Sequence, residues 1–320
     1  MSLIGRIVSA GIFAVGAAAP ALASSLVIDG YNGTGSTENV APSGTTSLWS
    51  LTGGASNFSD ATYSSSYNSK NETLQYYVVA TGSSGSSVFS LGELSGSGFG
   101  TNAVNVVQSG GGYSLVDSSQ SSRDVSNLTS LQIYTVGALP NGAGGTSSAV
   151  TVNTPGATQG SYNLAQLQSS FTPTTVSNVT VTSGKGSYVD SYTGVSLSTL
   201  LGLSSLSNAD VLNDIVIGKG TDGYLVVLAA AELDPALGGN GNDLLAYADT
   251  GTDFPADGVA RFVLPGDAKA GRFDSNLDEV DLVSTTPLPP TWTMMLLGLA
   301  GLGFVGYRQG SVTRCRLIAI

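Results

Sequence analysis

The chain has 320 residues; 41% are hydrophobic, only 10% are charged, 43 are glycine, and the net charge is −11. That apolar share is enough for a packed core, the length points to about two domains, and the acidity argues against nucleic acid or anionic lipid as partners. With no histidine and one cysteine, Cys315, the chain is excluded from Ser-His-Asp and Cys-His catalysis, from histidine-ligated zinc and from an internal disulfide.

In chain order, Arg6 precedes an apolar run over 7–19, Pro20 ends it, and Ala21 and Ala23 put small side chains ahead of Ser24. This predicts a secretory signal peptide over 1–23, cut before Ser24 by signal peptidase. The body then shows short β-rich runs separated by Gly, Ser and Asn. Their spacing predicts strands at 26–28, 75–80, 87–91, 103–108, 130–136, 149–153, 176–182, 214–218, 224–228, 244–248, 260–264 and 279–283. Two short helices are predicted, 164–169 after Asn163 and 197–201. The expected class is α+β, mainly β.

Three blocks recur in the same order. Gly44, Leu48 and Leu51 parallel Gly194, Leu197 and Leu200; Val78, Gly82, Gly85, Glu93 and Leu94 parallel Val216, Gly220, Gly223, Glu232 and Leu233. Arg123, Ser126, Asn127 and Leu128 align without gaps on Arg272, Ser275, Asn276 and Leu277. One such match could come from a Gly/Ser-rich composition, but three in order indicate a unit written twice. The expected modules are 24–135 and 136–286, the second with an extra N-terminal segment, joined through the glycine-rich stretch 137–145.

The repeated Arg123 and Arg272, with Asn127 and Asn276 four residues on, are candidates for an anionic ligand contact, because guanidinium offers a planar fork of donors; the alternative is a structural pairing with carboxylates. Glu93 and Glu232 recur before leucine. As a catalytic pair they would have to face one cleft, and the alternative is a helix-start or turn role, which Asp234 and Pro235 also suit. Residues 238–245 fit the calcium nonapeptide pattern, with Asn240, Asn242 and Asp243 as candidate ligands and Asp249, Asp253 and Asp257 following; that pattern works between stacked repeats, and here it occurs once. Phe58, Tyr63 and Tyr67 in a Ser/Asn-rich loop could stack on sugar rings.

The last stretch has Pro287, Leu288, Pro289 and Pro290, then an uncharged run over 291–307 bracketed by Trp292 and Tyr307, then Arg308, Arg314 and Arg316. Seventeen residues at about 1.5 Å each just span a thin bilayer core, and the arginines place the C-terminal side in the cytoplasm. The pattern resembles the PEP-CTERM sorting signal of Gram-negative bacteria, with Leu288 where that family has Glu and a tail less basic than usual. The resemblance implies transient residence in the inner membrane, recognition of the proline motif by an exosortase-type protease, and release of the body to the periplasm, outer surface or extracellular matrix. Exopolysaccharide is then a possible partner.

In the second module, Tyr192, Gly194 and Leu197, then Gly220, Asp222, Gly223 and Tyr224, then Glu232, Asp234 and Pro235, then Arg261, Pro265, Gly266, Asp267, Gly271 and Arg272 resemble the sulfite-oxidase-type molybdopterin-binding oxidoreductase domain. The first module resembles it more faintly, as a degenerate tandem copy. The likeness implies mixed sheets. In that family a cysteine thiolate ligates molybdenum, and basic and histidine side chains hold the cofactor phosphate. A body without either residue lacks the soft ligand, so molybdopterin is not expected as a cofactor. Three functions follow as expectations: a non-catalytic surface or matrix protein, a binder of a pterin-like anionic small molecule, or a carboxylate-based enzyme acting on exopolysaccharide.

Overall fold

The computed structural model describes residues 25–31, 36–54, 70–155, 157–184, 186–251 and 258–285. The signal segment with Ala21, Ala23 and Ser24, the sorting segment with Pro287 to Pro290, Trp292 and Arg308, the predicted span 291–307, the aromatics Phe58, Tyr63 and Tyr67, and Asp253 and Asp257 lie outside the described residues. Among the described residues, no helix is long and apolar enough to cross a membrane.

The fold is α+β and mostly β. The first half runs β1 (Leu26–Tyr31), β2 (Ser36–Val40), β3 (Thr45–Ser47), α1 (Leu48–Leu51), β4 (Tyr76–Gly82), β5 (Gly85–Ser90), β6 (Val104–Ser109), β7 (Gly112–Asp117) and β8 (Leu128–Thr135). The second half opens with β9 (Val150–Thr154), β10 (Ala157–Tyr162), α2 (Leu164–Ser170), β11 (Thr174–Ser183), β12 (Gly186–Ser196), α3 (Leu197–Leu200) and α4 (Asn208–Asn213). It closes with β13 (Asp214–Gly220), β14 (Leu225–Ala229), α5 (Ala230–Leu233), β15 (Leu244–Asp249), β16 (Arg261–Val263) and β17 (Leu277–Ser284).

Each half builds the same five-stranded sheet, in the orders β2-β1-β8-β4-β5 and β10-β9-β17-β13-β14. In both, one pair is parallel (β1 with β8, β9 with β17) and the others are antiparallel. Even the irregularity is copied: the register slips between Thr81 and Gly82 opposite Leu128, and between Lys219 and Gly220 opposite Leu277. Asn127 and Asn276 sit just before these slips with φ of 46° and 55°. Asn is one of the few non-glycine residues that tolerates this left-handed conformation, which accounts for its repetition. The smaller sheets, β3-β6-β7 and β11-β12-β15-β16, are also related, with β12 in the place of β3 and β11 as the extra strand of the second half.

All twelve predicted strands and both predicted helices fall on observed elements. Helix α2 starts where Asn163 caps it: Asn163 Oδ1 accepts from Gln166 N at 3.0 Å, and Gln166 Oε1 accepts from Asn163 N at 2.9 Å. Alternate residues of β4 serve two purposes. Val78 and Ala80 enter the first core with Leu26, Ile28, Phe89 and Leu131, while Tyr77 and Val79 meet Ile215, Ile217 and Val227 of the second half. Thus the two halves join through an apolar seam at β4, β5, β13 and β14. Leu74 crosses it to pack in the second core.

Candidate functional site

Glu93 and Glu232 are placed by the same local device. Glu93 Oε1 accepts from Ser90 N at 2.8 Å, and Glu232 Oε1 accepts from Ala229 N at 2.9 Å, so each glutamate closes the turn that follows an edge strand of its sheet. Beside it stands the repeated arginine, each at the end of a short 3-10 turn, Ser121–Arg123 or Ala270–Arg272.

The two pairs differ in detail. Arg123 is fully enclosed and forks onto Glu93, with Nη1 to Oε2 at 2.7 Å and Nη2 to Oε1 at 2.8 Å; it also donates to Gln120 Oε1 and Val88 O and lies 4.1 Å from the Phe89 ring centroid. Arg272 forks instead onto Asp267, with Nε to Oδ2 at 2.9 Å and Nη2 to Oδ1 at 2.5 Å, and reaches Glu232 with Nη1 at 2.7 Å. Burial works against the Arg123 charge, but Glu93 and Asp117 outweigh it and hold the guanidinium above its ordinary range. Burial likewise pushes Glu93 up, with Arg123 pulling it back.

Between the halves lies a cleft of about 410 Å³. The first half supplies Glu93, Thr101, Asn102, Ser119 and Gln120; the second supplies Glu232, Gly238 to Asn240, Asp243, Leu264, Gly266, Asp267 and Arg272. These come from matching places: the turn after β5 or β14, the approach to β6 or β15, and the exit of β7 or β16. The cleft therefore sits where the two copies face each other, and its walls are tied together by Ser90 Oγ to Glu232 Oε1 at 3.2 Å and Thr101 Oγ1 to Gly266 O at 3.2 Å.

Its charge is lopsided. Asp117 and Asp267 play similar parts beside their arginines, but Asp243 has no acidic counterpart in the first half, where Asn102 donates to Glu93 at 3.3 Å and Asp117 at 3.0 Å. Burial first, then Glu232, pushes Asp243 well above the usual carboxylate range, with Arg272 opposing. Four carboxylates and one guanidinium line the cleft.

Of the residues singled out from sequence, the structure brings Glu93, Glu232, Arg272, Asn240 and Asp243 to one cleft, and stands Arg123 behind Glu93. Asn127 is at the surface, its Nδ2 donating to Ser83 Oγ at 2.8 Å, and Asn276 lies beside Gly258, away from the cleft. The glycine-rich loop closes on itself: Asn240 Nδ2 donates to Asp243 Oδ1 at 2.9 Å, and Asn240 Oδ1 accepts from Asn242 N at 3.1 Å. Among the described residues, no group of three or more acidic or cysteine side chains is placed to hold a metal ion. Gln120, Asn102 and Ser119 carried no signal of their own in the sequence; Asp267 appeared there only as part of a motif and not as a site residue, although it stands five residues before Arg272 as Asp117 stands six before Arg123. No family model matches the chain, and no curated protein matches it. The likenesses drawn from sequence therefore rest on their motifs alone.

Proposed function

We propose that this is an exported protein of the cell surface or extracellular matrix, addressed by its C-terminal sorting segment, whose body acts by non-catalytic binding at the cleft between its two modules. The observation that carries the binding reading is the cleft itself, built from the same three connections of each repeat and floored by carboxylates whose positions arginines fix. Its surplus of negative charge speaks against a pterin-like anion, since Arg272 is already committed to Glu232 and Asp267. Fractionation of producing cells tests the reading: the body belongs in the surface or extracellular fraction, and retention in the cytoplasm contradicts it.

One observation favours a second reading, a carboxylate-based enzyme on polysaccharide: Glu93 and Glu232 do line a single cleft. Against it, Glu93 is occupied on both oxygens by Arg123 and on one by Ser90 N, which leaves it poorly suited to deliver or take up a proton. Release of reducing ends from polysaccharide, abolished in Glu232→Gln, would establish the enzyme instead.

A further inference from the structure

We infer that the inter-module cleft takes a neutral polyhydroxylated ligand, a saccharide unit, held between Gln120 of the first module and Asp243 of the second. This rests on the binding reading above and names its ligand class.

Two polar groups in the cleft wall are left over after the internal pairing is complete. Gln120 is 7% exposed; its Oε1 is taken by Arg123, and its Nε2 has no hydrogen-bond partner among the described residues. Asp243 is 5% exposed; its Oδ1 is taken by Asn240, and its Oδ2 likewise has no partner among the described residues. The two side chains are otherwise buried, and these two atoms are reached from the cleft, so each can take a partner placed there. Gln120 Nε2 is a donor, and Asp243 Oδ2, on a carboxyl group that burial pushes towards its protonated form, accepts or donates with that form. A hydroxyl group answers each of these, whereas a metal ion has no use for an amide N–H or a protonated carboxyl.

The remaining walls select in the same direction. Ser119, Asn102 and Thr101 add hydroxyl and amide groups on one side, while Leu264 is the only large apolar side chain among the lining residues, which disfavours flat aromatic or greasy ligands. The lining carboxylates outnumber Arg272, so phosphates and carboxylates are repelled. Cations are not repelled, but Glu93, Glu232 and Asp267 already spend their oxygens on arginine and backbone donors, and no metal-holding set forms among the described residues. A cleft of about 410 Å³ lies within the usual range for small-molecule sites and has room for one or two sugar rings.

Gly266 offers a clean way to close the cleft. It lines the wall, and a Cβ added there meets nothing within 4 Å, so a side chain can leave the backbone unhindered, and Gly266→Trp is aimed at filling the space, with the melting temperature as the check that the fold is kept. The experiment is calorimetric titration of the protein recovered from producing cells, and of its Gly266→Trp variant, with maltose, cellobiose and lactose, and in parallel with calcium chloride, spermidine and sodium phosphate. The expected result is saturable binding of at least one disaccharide that weakens by about tenfold or more in Gly266→Trp, with an unchanged melting temperature and no binding of phosphate. Disaccharide binding that the variant leaves untouched overturns the inference, because the site is then elsewhere. Binding of calcium, spermidine or phosphate alone, lost in the variant, overturns the ligand class but leaves a binding cleft. If no probe binds, both the inference and the binding reading fail.

Discussion

At the scale of single residues, the buried arginines carry the most weight. An arginine with no exposed surface is tolerable because both of its Nη groups are answered, by Glu93 on both arms and by Gln120 and Val88 beyond, with Phe89 against its flat face; Nε alone is buried without a hydrogen-bond partner among the described residues. Removing one partner strands the other charge in a low-dielectric interior. Arg123→Ala is therefore expected to destabilise the protein by about 3–5 kcal/mol in urea unfolding, and Arg123→Met with Glu93→Leu to recover a large part of that loss. A double variant no more stable than the single one would show that the pair stabilises in its own right. Gly271 is a second sensitive point, because a Cβ there would lie 2.1 Å from the Phe99 ring, which crosses from the other half. Gly271→Ala is expected to cost about 1–3 kcal/mol by forcing that ring aside, measured the same way.

At the scale of elements, the strands legible in the sequence are those with apolar alternation and a buried face, such as β4, β8, β13 and β17. Strand β12 was not legible as a strand because its first four residues, Gly186 to Val189, are exposed on both faces, Val189 at 62%. Burial begins only at Asp190 and Tyr192, where the strand reaches β15. Strand β7 begins on the last of three consecutive glycines and mixes Tyr113 and Leu115 with polar neighbours, and β2 is a polar edge strand. Helix α2 was legible because its cap is local, needing only Asn163 and Gln166. Since that helix is short and mostly exposed, its cap matters: Asn163→Ala is expected to lower stability by about 1 kcal/mol, read as a shift of the urea midpoint at constant slope.

At the scale of the whole molecule, the tandem repeat was legible because Arg123/Arg272, Asn127/Asn276 and Glu93/Glu232 are each required by geometry: a buried counter-ion, a left-handed backbone, a turn-closing carboxylate. The cleft was not. Its walls come from six connections scattered between Glu93 and Arg272, and nothing in a linear pattern tells that the two copies face each other.

The same burial of acids sets the pH dependence. Asp214 is pushed from its ordinary value near 3.8 up to about 6 by burial, and Asp243 and Asp274 are also pushed well above the ordinary value, by burial first and then by neighbouring acids. Each holds its proton more tightly when folded than when unfolded, so the stability they contribute is present at low pH and is lost as pH rises through the folded values. The melting temperature is expected to fall between about pH 4 and pH 7, with the acidic body's self-repulsion acting in the same sense. A melting temperature that rises over that interval would contradict these assignments.

Under the proposed function the two ends are an address and the modules are the working protein. Intact mass measurement of the protein recovered from producing cells tests it most directly. The expected chain begins at Ser24 and ends near Thr286; a chain that still carries Trp292 to Arg308 overturns the proposal.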